Sequence, residues 1–175
     1  MANGFTNEAE FQIFFREYYP KLYSYGFKIM PNHFLLEDCI MELFSDLWKN
    51  AGKTEINSMN AYLFKSLQYK IFKKGAYEHK SMSSSPDQFE IPFEITAESL
   101  IVEGEENIEK AKKISALMVH LSARQREIIY LRFYKNFSYD EISELMQINY
   151  QAARNLLSLS LKVLRKAIDQ DVTMN

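Results

Sequence analysis

The sequence predicts an all-α protein: an N-terminal helical bundle over residues 1–80, an acidic linker over 81–104, and a small four-helix domain over 105–175. Three observations carry this. Apolar residues recur at three- and four-residue steps along most of the chain, and no alternating strand pattern of useful length occurs. Five Gly and four Pro in 175 residues are too few for a turn-rich β-sandwich. Residues 81–109 hold eight acids and no Lys or Arg, and open on Ser81-Met82-Ser83-Ser84-Ser85-Pro86. That is linker composition, set between two helix-patterned stretches, although its apolar residues Phe89, Ile91, Phe93 and Ile95 are suited to docking on a domain surface.

Thr6 is placed to cap a first helix that runs to about Ile29, with Glu8 and Glu10 in its first turn near the positive helix end. Phe11, Phe14, Phe15, Tyr18, Leu22 and Tyr25 give it one broad apolar face. Pro31-Asn32 breaks the chain. A second helix from about Phe34 to Asn50 buries Leu36, Ile40, Leu43, Phe44 and Leu47, and Gly52 suits a left-handed cap after it. Ser58 caps a third helix reaching about His79, with Leu63, Leu67 and Ile71 as its buried stripe. Helical pattern resumes near Glu105 and continues to Leu121. Two capping boxes follow, Ser122…Gln125 and Ser138…Glu141, each a Ser three residues before Gln or Glu. Asn149 caps a last helix to about Asp169, with Ala153, Leu157, Leu161, Leu164 and Ile168 as its buried stripe.

Composition narrows the function. No apolar run has the length of a membrane span, and Met1-Ala2-Asn3-Gly4-Phe5 lacks the basic and apolar regions of a signal peptide. Cys39 is the lone cysteine, which excludes an internal disulfide and fits a reducing, cytoplasmic setting; on its apolar stripe it reads as a small core residue. His33, His79 and His120 are scattered, so no metal site is expected. There is no Gly-rich phosphate loop, no Ser/His/Asp arrangement and no convincing carboxylate pair, so neither an enzyme nor a cofactor or small-molecule substrate is expected.

The C-terminal part has the spacing of a helix-turn-helix. A short helix with Ile142, Leu145 and Met146 leads through Gln147-Ile148-Asn149 into a longer one. Ile148 supplies the apolar plug of the turn. Gln147 occupies a position where positive φ would favour Gly or Asn. Tyr150, Gln151, Arg154, Asn155, Ser158 and Lys162 fall on the outward side, and Gln, Asn and Arg can each pair bidentately with a base edge. Arg124, Arg126, Arg132 and Lys135 lie upstream, where phosphate contacts would fix orientation. Alone, this pattern also fits a helical hairpin whose polar residues are a solvated face.

The match is not isolated. Leu121-Ser-Ala-Arg-Gln-Arg-Glu-Ile-Ile-Tyr-Leu-Arg-Phe133, then Phe137-Ser-Tyr-Asp-Glu-Ile-Ser-Glu-Leu145 and the Asn149 helix, closely resemble the promoter-reading C-terminal domain of bacterial sigma factors. Tyr18-Tyr-Pro-Lys-Leu-Tyr23, Glu37-Asp-Cys-Ile-Met-Glu-Leu-Phe-Ser-Asp-Leu-Trp-Lys-Asn50 and Ala61-Tyr-Leu-Phe64 resemble the other domain of that family. Two domains in this order, with a linker between, are similar to the extracytoplasmic-function (ECF) group. Asn149-Tyr-Gln-Ala-Ala-Arg-Asn-Leu156 is most like the members from Bacteroidetes. Two rival classes are a helix-turn-helix regulator that acts without being a polymerase subunit and a helical adaptor.

The resemblance implies core RNA polymerase and promoter DNA as partners, and a membrane-anchored anti-sigma factor as a further one. It implies that the second helix binds polymerase, through Asp38, Met41, Glu42 and Ser45; relatives more often have Gln where Met41 stands. It implies that the third helix captures melted promoter DNA, with Asn60 and the loop from Glu55 holding a flipped base. There Tyr62 and Tyr69 suit stacking on bases, or else core packing, while Lys65, Lys70, Lys73 and Lys74 suit phosphates. Many relatives have Arg or Lys at Leu156 and Leu159, which here join Val163 in a second apolar stripe, a candidate partner surface. The formal charge of −2 is a sum over unlike parts: residues 110–175 carry +5 and residues 60–80 carry +4, against −8 in residues 81–109 and −3 in residues 1–59. The positive charge thus falls where DNA is expected.

Overall fold

The structure is a computed structural model that describes residues 5, 7–52, 56–78, 91–102 and 106–173. Thr6, Glu55, His79 and half of the expected linker lie outside the described residues, within which every regular element is helical. The chain divides into two units, Met1–Phe89 and Glu90–Asn175.

The first unit is three mutually packed helices, α1 (Glu8–Phe27), α2 (His33–Lys49) and α3 (Met59–Glu78). Asn7, rather than Thr6, caps α1: its side chain accepts the Glu10 N–H at 2.9 Å. Asn32 does the same for α2 through the Leu35 N–H, and the Ser58 hydroxyl accepts the Ala61 N–H at the start of α3. Gly52 adopts φ 76°, the left-handed conformation expected after α2. The aromatic face of α1 closes around Phe44 of α2, whose ring lies 4.6 Å from Phe15. Further along, the three helices approach so closely at Gly26 that a Cβ there would overlap Leu36 Cδ1 and stand 3.2 Å from Leu67 Cδ2. Leu63, Leu67 and Ile71 are buried as the spacing predicts, and Cys39 is a fully buried core residue whose thiol pKa is raised chiefly by burial.

Among the described residues the second unit has five helices: α4 (Ala97–Val102), α5 (Ile108–Met118), α6 (Ala123–Phe133), α7 (Tyr139–Met146) and α8 (Tyr150–Thr173). Both capping boxes form, at Ser122 and Ser138. Residues 97–102, expected in the linker, instead form helix α4, packed on α5, and the residues before it are anchored. Phe93, Ile95 and Leu100 are buried, the Phe93 ring lies 5.5 Å from Tyr130, and Arg126 donates to the Phe93 carbonyl at 3.0 Å. The docking of Phe93 and Ile95 agrees with their apolar character, whereas acidic composition hid the helix, whose Glu98 is exposed while Leu100 is buried. On α8 the buried row is Ala153, Leu157, Ser160 and Ala167. Leu161 and Leu164 are half-buried and Ile168 is exposed, so the inward stripe lies a little off the expected one. Ser160 can sit there because its hydroxyl donates to the Leu156 carbonyl at 2.7 Å.

Candidate nucleic-acid interface

The turn between α7 and α8 is built by three residues. Gln147 adopts φ 54°, ψ 45°, the left-handed conformation, and its N–H bonds the Ser143 carbonyl. The Ile148 N–H bonds the same carbonyl at 3.1 Å, and the Ile148 side chain is half-buried. Asn149 then caps α8, accepting the Ala152 N–H at 2.7 Å. Since α7 and α8 pack on one another and Leu145, Ala153 and Leu157 are buried, the opposite side of α8 is left outward. Tyr150, Gln151, Arg154, Asn155, Ser158 and Lys162 are all exposed there, as the sequence reading places them. Gln151 and Asn155 are joined by an amide–amide hydrogen bond of 2.9 Å, and the rings of Tyr139 and Tyr150 meet at 5.5 Å.

The upstream arginines are differently disposed. Each spends part of its guanidinium on the protein's own backbone. Arg124 donates to the Met146 carbonyl at 3.0 Å, where it satisfies the end of α7, and stays exposed. Arg126 bonds the carbonyls of Leu121 and Phe93 and is half-buried. Arg132 donates to the Phe137 carbonyl at 2.8 Å and lies over the Tyr139 ring, 5.1 Å from its centroid.

In the first unit, α3 carries two rows of lysines that do different things. Lys65, Tyr69 and Lys73 form an exposed strip, with Tyr69 59 % exposed and Tyr62 half-buried beside it. Asn60 is half-buried at the start of the helix. Lys70 and Lys74 instead turn toward α2. Lys70 Nζ lies 2.6 Å from Asp46 Oδ2 and 3.6 Å from Glu42 Oε1, and Lys74 Nζ lies 3.1 Å from Asp38 Oδ2. The hydrogen bond from Lys70 holds the Asp46 carboxyl below its ordinary pKa of 3.8. Residues expected to touch polymerase (Asp38, Glu42) and residues expected to touch DNA (Lys70, Lys74) thus share one seam. Met41 and Ser45 are exposed on the same face of α2. Asp46 completes an i, i+4, i+8 carboxylate row with Asp38 and Glu42; that spacing was the available signal for its role.

Among the described residues no group of three His, Cys, Asp or Glu could hold a metal ion, and no helix is long and apolar enough to cross a membrane. A short helix, a left-handed turn and a longer helix with an outward amide- and arginine-rich start define a helix-turn-helix protein of the DNA-binding class. Residues 111–164, which span this motif and the helix before it, match the family model described as sigma-70, region 4. No curated protein sequence matches the chain. Among solved structures, the fold is similar to that of the sigma factor RpoE from Bartonella quintana, determined in complex with the anti-sigma factor NepR. The TM-score is 0.63 at 18 % identity, over 91 % of this chain and 97 % of that one. At that identity the likeness establishes a shared fold.

Proposed function

We propose that this chain is an ECF-type sigma factor, which binds core RNA polymerase and directs it to promoters at transcription initiation. The observation that carries the reading is the region 4 match on a helix-turn-helix whose outward face bears Gln151, Arg154 and Asn155. In this reading residues 1–80 bind polymerase and the melted element, and the second unit, with the segment 91–102 as part of it, reads the upstream element as duplex. Asp38, Met41, Glu42 and Ser45 are the polymerase contacts. Asn60, Tyr62, Lys65, Tyr69 and Lys73 engage the melted strand, and Lys70 and Lys74 join them when their carboxylate partners are taken by polymerase. Tyr150, Gln151, Arg154, Asn155, Ser158 and Lys162 face the duplex, with Arg124 on phosphate and Arg126 beside it.

The protein performs no bond chemistry and acts in the cytoplasm, where its partners are. An anti-sigma factor, the kind of partner seen with the Bartonella protein, is a further proposed partner. Leu159, 54 % exposed, with half-buried Leu156 and Val163, is the surface we assign to it. Run-off transcription with core polymerase over a panel of promoters tests the function. Transcripts that depend on this chain are expected; their absence, together with no binding to core polymerase, would overturn it. Arg154→Ala is expected to weaken promoter use by about 1–3 kcal/mol, the contribution of one bidentate base contact.

A further inference from the structure

The first residue of α8 is Tyr150, at the end of the helix that would enter the groove. A side chain there has support from only one direction along its own helix, so something else must fix it if it is to read a base. That support comes from α7 and α6. The Tyr139 ring, at the first position of α7, lies 5.5 Å from the Tyr150 ring at an interplanar angle of 59°, a tilted contact that fixes both rings. Tyr139 is in turn held from behind: the Arg132 guanidinium lies over it, 5.1 Å from the centroid. Arg132 is itself oriented by its 2.8 Å bond to the carbonyl of Phe137, whose side chain is buried. The C-terminal turn of α6 and the N-termini of α7 and α8 are thereby joined by one guanidinium and two rings.

We infer that Arg132 and Tyr139 are positioning residues for base reading: Arg132 holds Tyr139, and Tyr139 holds Tyr150 against the DNA. The inference rests on the reading of α8 as the recognition helix. It moves Arg132 from the phosphate-contacting group, where its charge and place in the sequence put it, to a supporting one. Its half-buried guanidinium spends its face on a ring and an edge on a carbonyl of its own chain. Tyr139, with no charge and no place in the outward row of α8, gains a role that sequence spacing does not show.

The test uses the full chain assembled with core RNA polymerase. A duplex is first selected by the wild-type assembly from a pool randomised upstream of the start site, and binding is then measured for every base at each selected position. Tyr150→Ala identifies the position whose discrimination depends on that ring. Tyr139→Ala and Arg132→Met are expected to lose discrimination at the same position, by about tenfold, the lower end of what one base contact contributes. Tyr139→Phe retains it, because the ring contact remains. The double variant Tyr139→Ala/Tyr150→Ala is expected to be no worse than either single variant, since both remove one unit. Arg132→Met is expected to leave the salt dependence of binding unchanged, whereas loss of a phosphate contact would lower the slope by about 0.9. A lowered slope with discrimination intact would overturn the inference, as would independent, additive effects of Tyr139→Ala and Tyr150→Ala. Melting curves of the free variants distinguish misplacement from unfolding: a variant that melts like the wild type but still discriminates normally also overturns it. Failure of the wild-type assembly to select any sequence would overturn the proposed function itself.

Discussion

Lys70 of α3 donates to Asp46 of α2 across 2.6 Å, and only 14 % of the lysine side chain is exposed while half of the aspartate is. The lysine stem is packed between the helices and its ammonium reaches out to a carboxylate at the rim. Since the folded Asp46 carboxyl sits below its ordinary 3.8, its stabilising effect is present above that pH and is lost as pH falls through the lower folded value. Asp46 is exposed enough for water to screen it, so the effect is well under about 1 kcal/mol. Asp46→Asn is expected to lower the melting temperature slightly at pH 7 and to make no difference below the folded-state pKa. Parallel melts over acid and neutral pH check this; an equal loss at every pH would place the effect in packing instead.

The same seam divides the lysines of α3 by job. Lys65 and Lys73 are exposed beside Tyr69, whereas Lys70 and Lys74 are engaged by α2 carboxylates. In the free protein, changing Lys65 and Lys73 together to Met is expected to weaken single-stranded DNA binding and to reduce its salt slope by about 0.7 for each phosphate lost. Lys70→Met is expected to leave that slope unchanged. Titrations of a labelled oligonucleotide at several salt concentrations distinguish the two. Equal slope changes for both variants would show that the ion pairs do not withhold Lys70 from DNA.

Residues 91–102 belong to the folding of the second unit. Phe93 is fully buried against Tyr130, and Arg126 ties its carbonyl to α6. Phe93→Ala removes a buried ring and is expected to cost about 3–5 kcal/mol in denaturant unfolding of that unit. Arg126→Met removes two hydrogen bonds from a charged donor to backbone carbonyls and is expected to cost about 1.5–3 kcal/mol for each that solvent cannot replace. If both variants unfold like the wild type, this segment is not part of the cooperative unit.

Gly26 marks where three helices meet. Ala is the better helix former by about 1 kcal/mol, but its methyl would overlap Leu36 Cδ1 in a fully buried place. Overpacking of this kind costs about 1–3 kcal/mol, so Gly26→Ala is expected to be neutral to destabilising and Gly26→Val clearly destabilising. Denaturant midpoints for the two variants give the comparison. A stabilised Gly26→Ala would mean that Leu36 can move aside.

Much of this fold was legible in sequence because local rules and tertiary packing agree. Ser58, Ser122, Ser138 and Asn149 all cap the helices they precede, and the outward row of α8 is where 3.6-residue spacing puts it. What was not legible depends on partners distant in sequence. Whether Lys70 faces DNA or Asp46 is decided by how α3 packs on α2; the carboxylate row of α2 hints at a basic neighbour but does not say which lysine fills that place. Acidic composition across 81–109 masked helix α4 and its buried Leu100, although the apolar residues Phe93 and Ile95 were legible as docking candidates and both are buried. Arg132 reads as a phosphate ligand until the ring of Tyr139 is seen beneath it. Pro20, inside α1, is tolerated because the place it occupies is exposed, so water can serve the Arg16 carbonyl that its missing N–H leaves out of the helix ladder.

Gln147 has the left-handed conformation that the turn of the helix-turn-helix requires, at φ 54° and ψ 45°. A residue with a Cβ pays about 1–2 kcal/mol to stand there, because the Cβ crowds the following carbonyl. Gly carries no such strain, although its freer unfolded chain returns part of the gain. Since the Gln147 side chain is exposed, little packing is lost on removing it. Gln147→Gly is therefore expected to stabilise the second unit by about 0.5–1 kcal/mol, with Asn giving a smaller gain. Thermal melts at fixed pH and salt read this directly. A loss of stability in Gln147→Gly, with the N–H bond to the Ser143 carbonyl retained, would mean that the glutamine side chain contributes more to the turn than its strain removes.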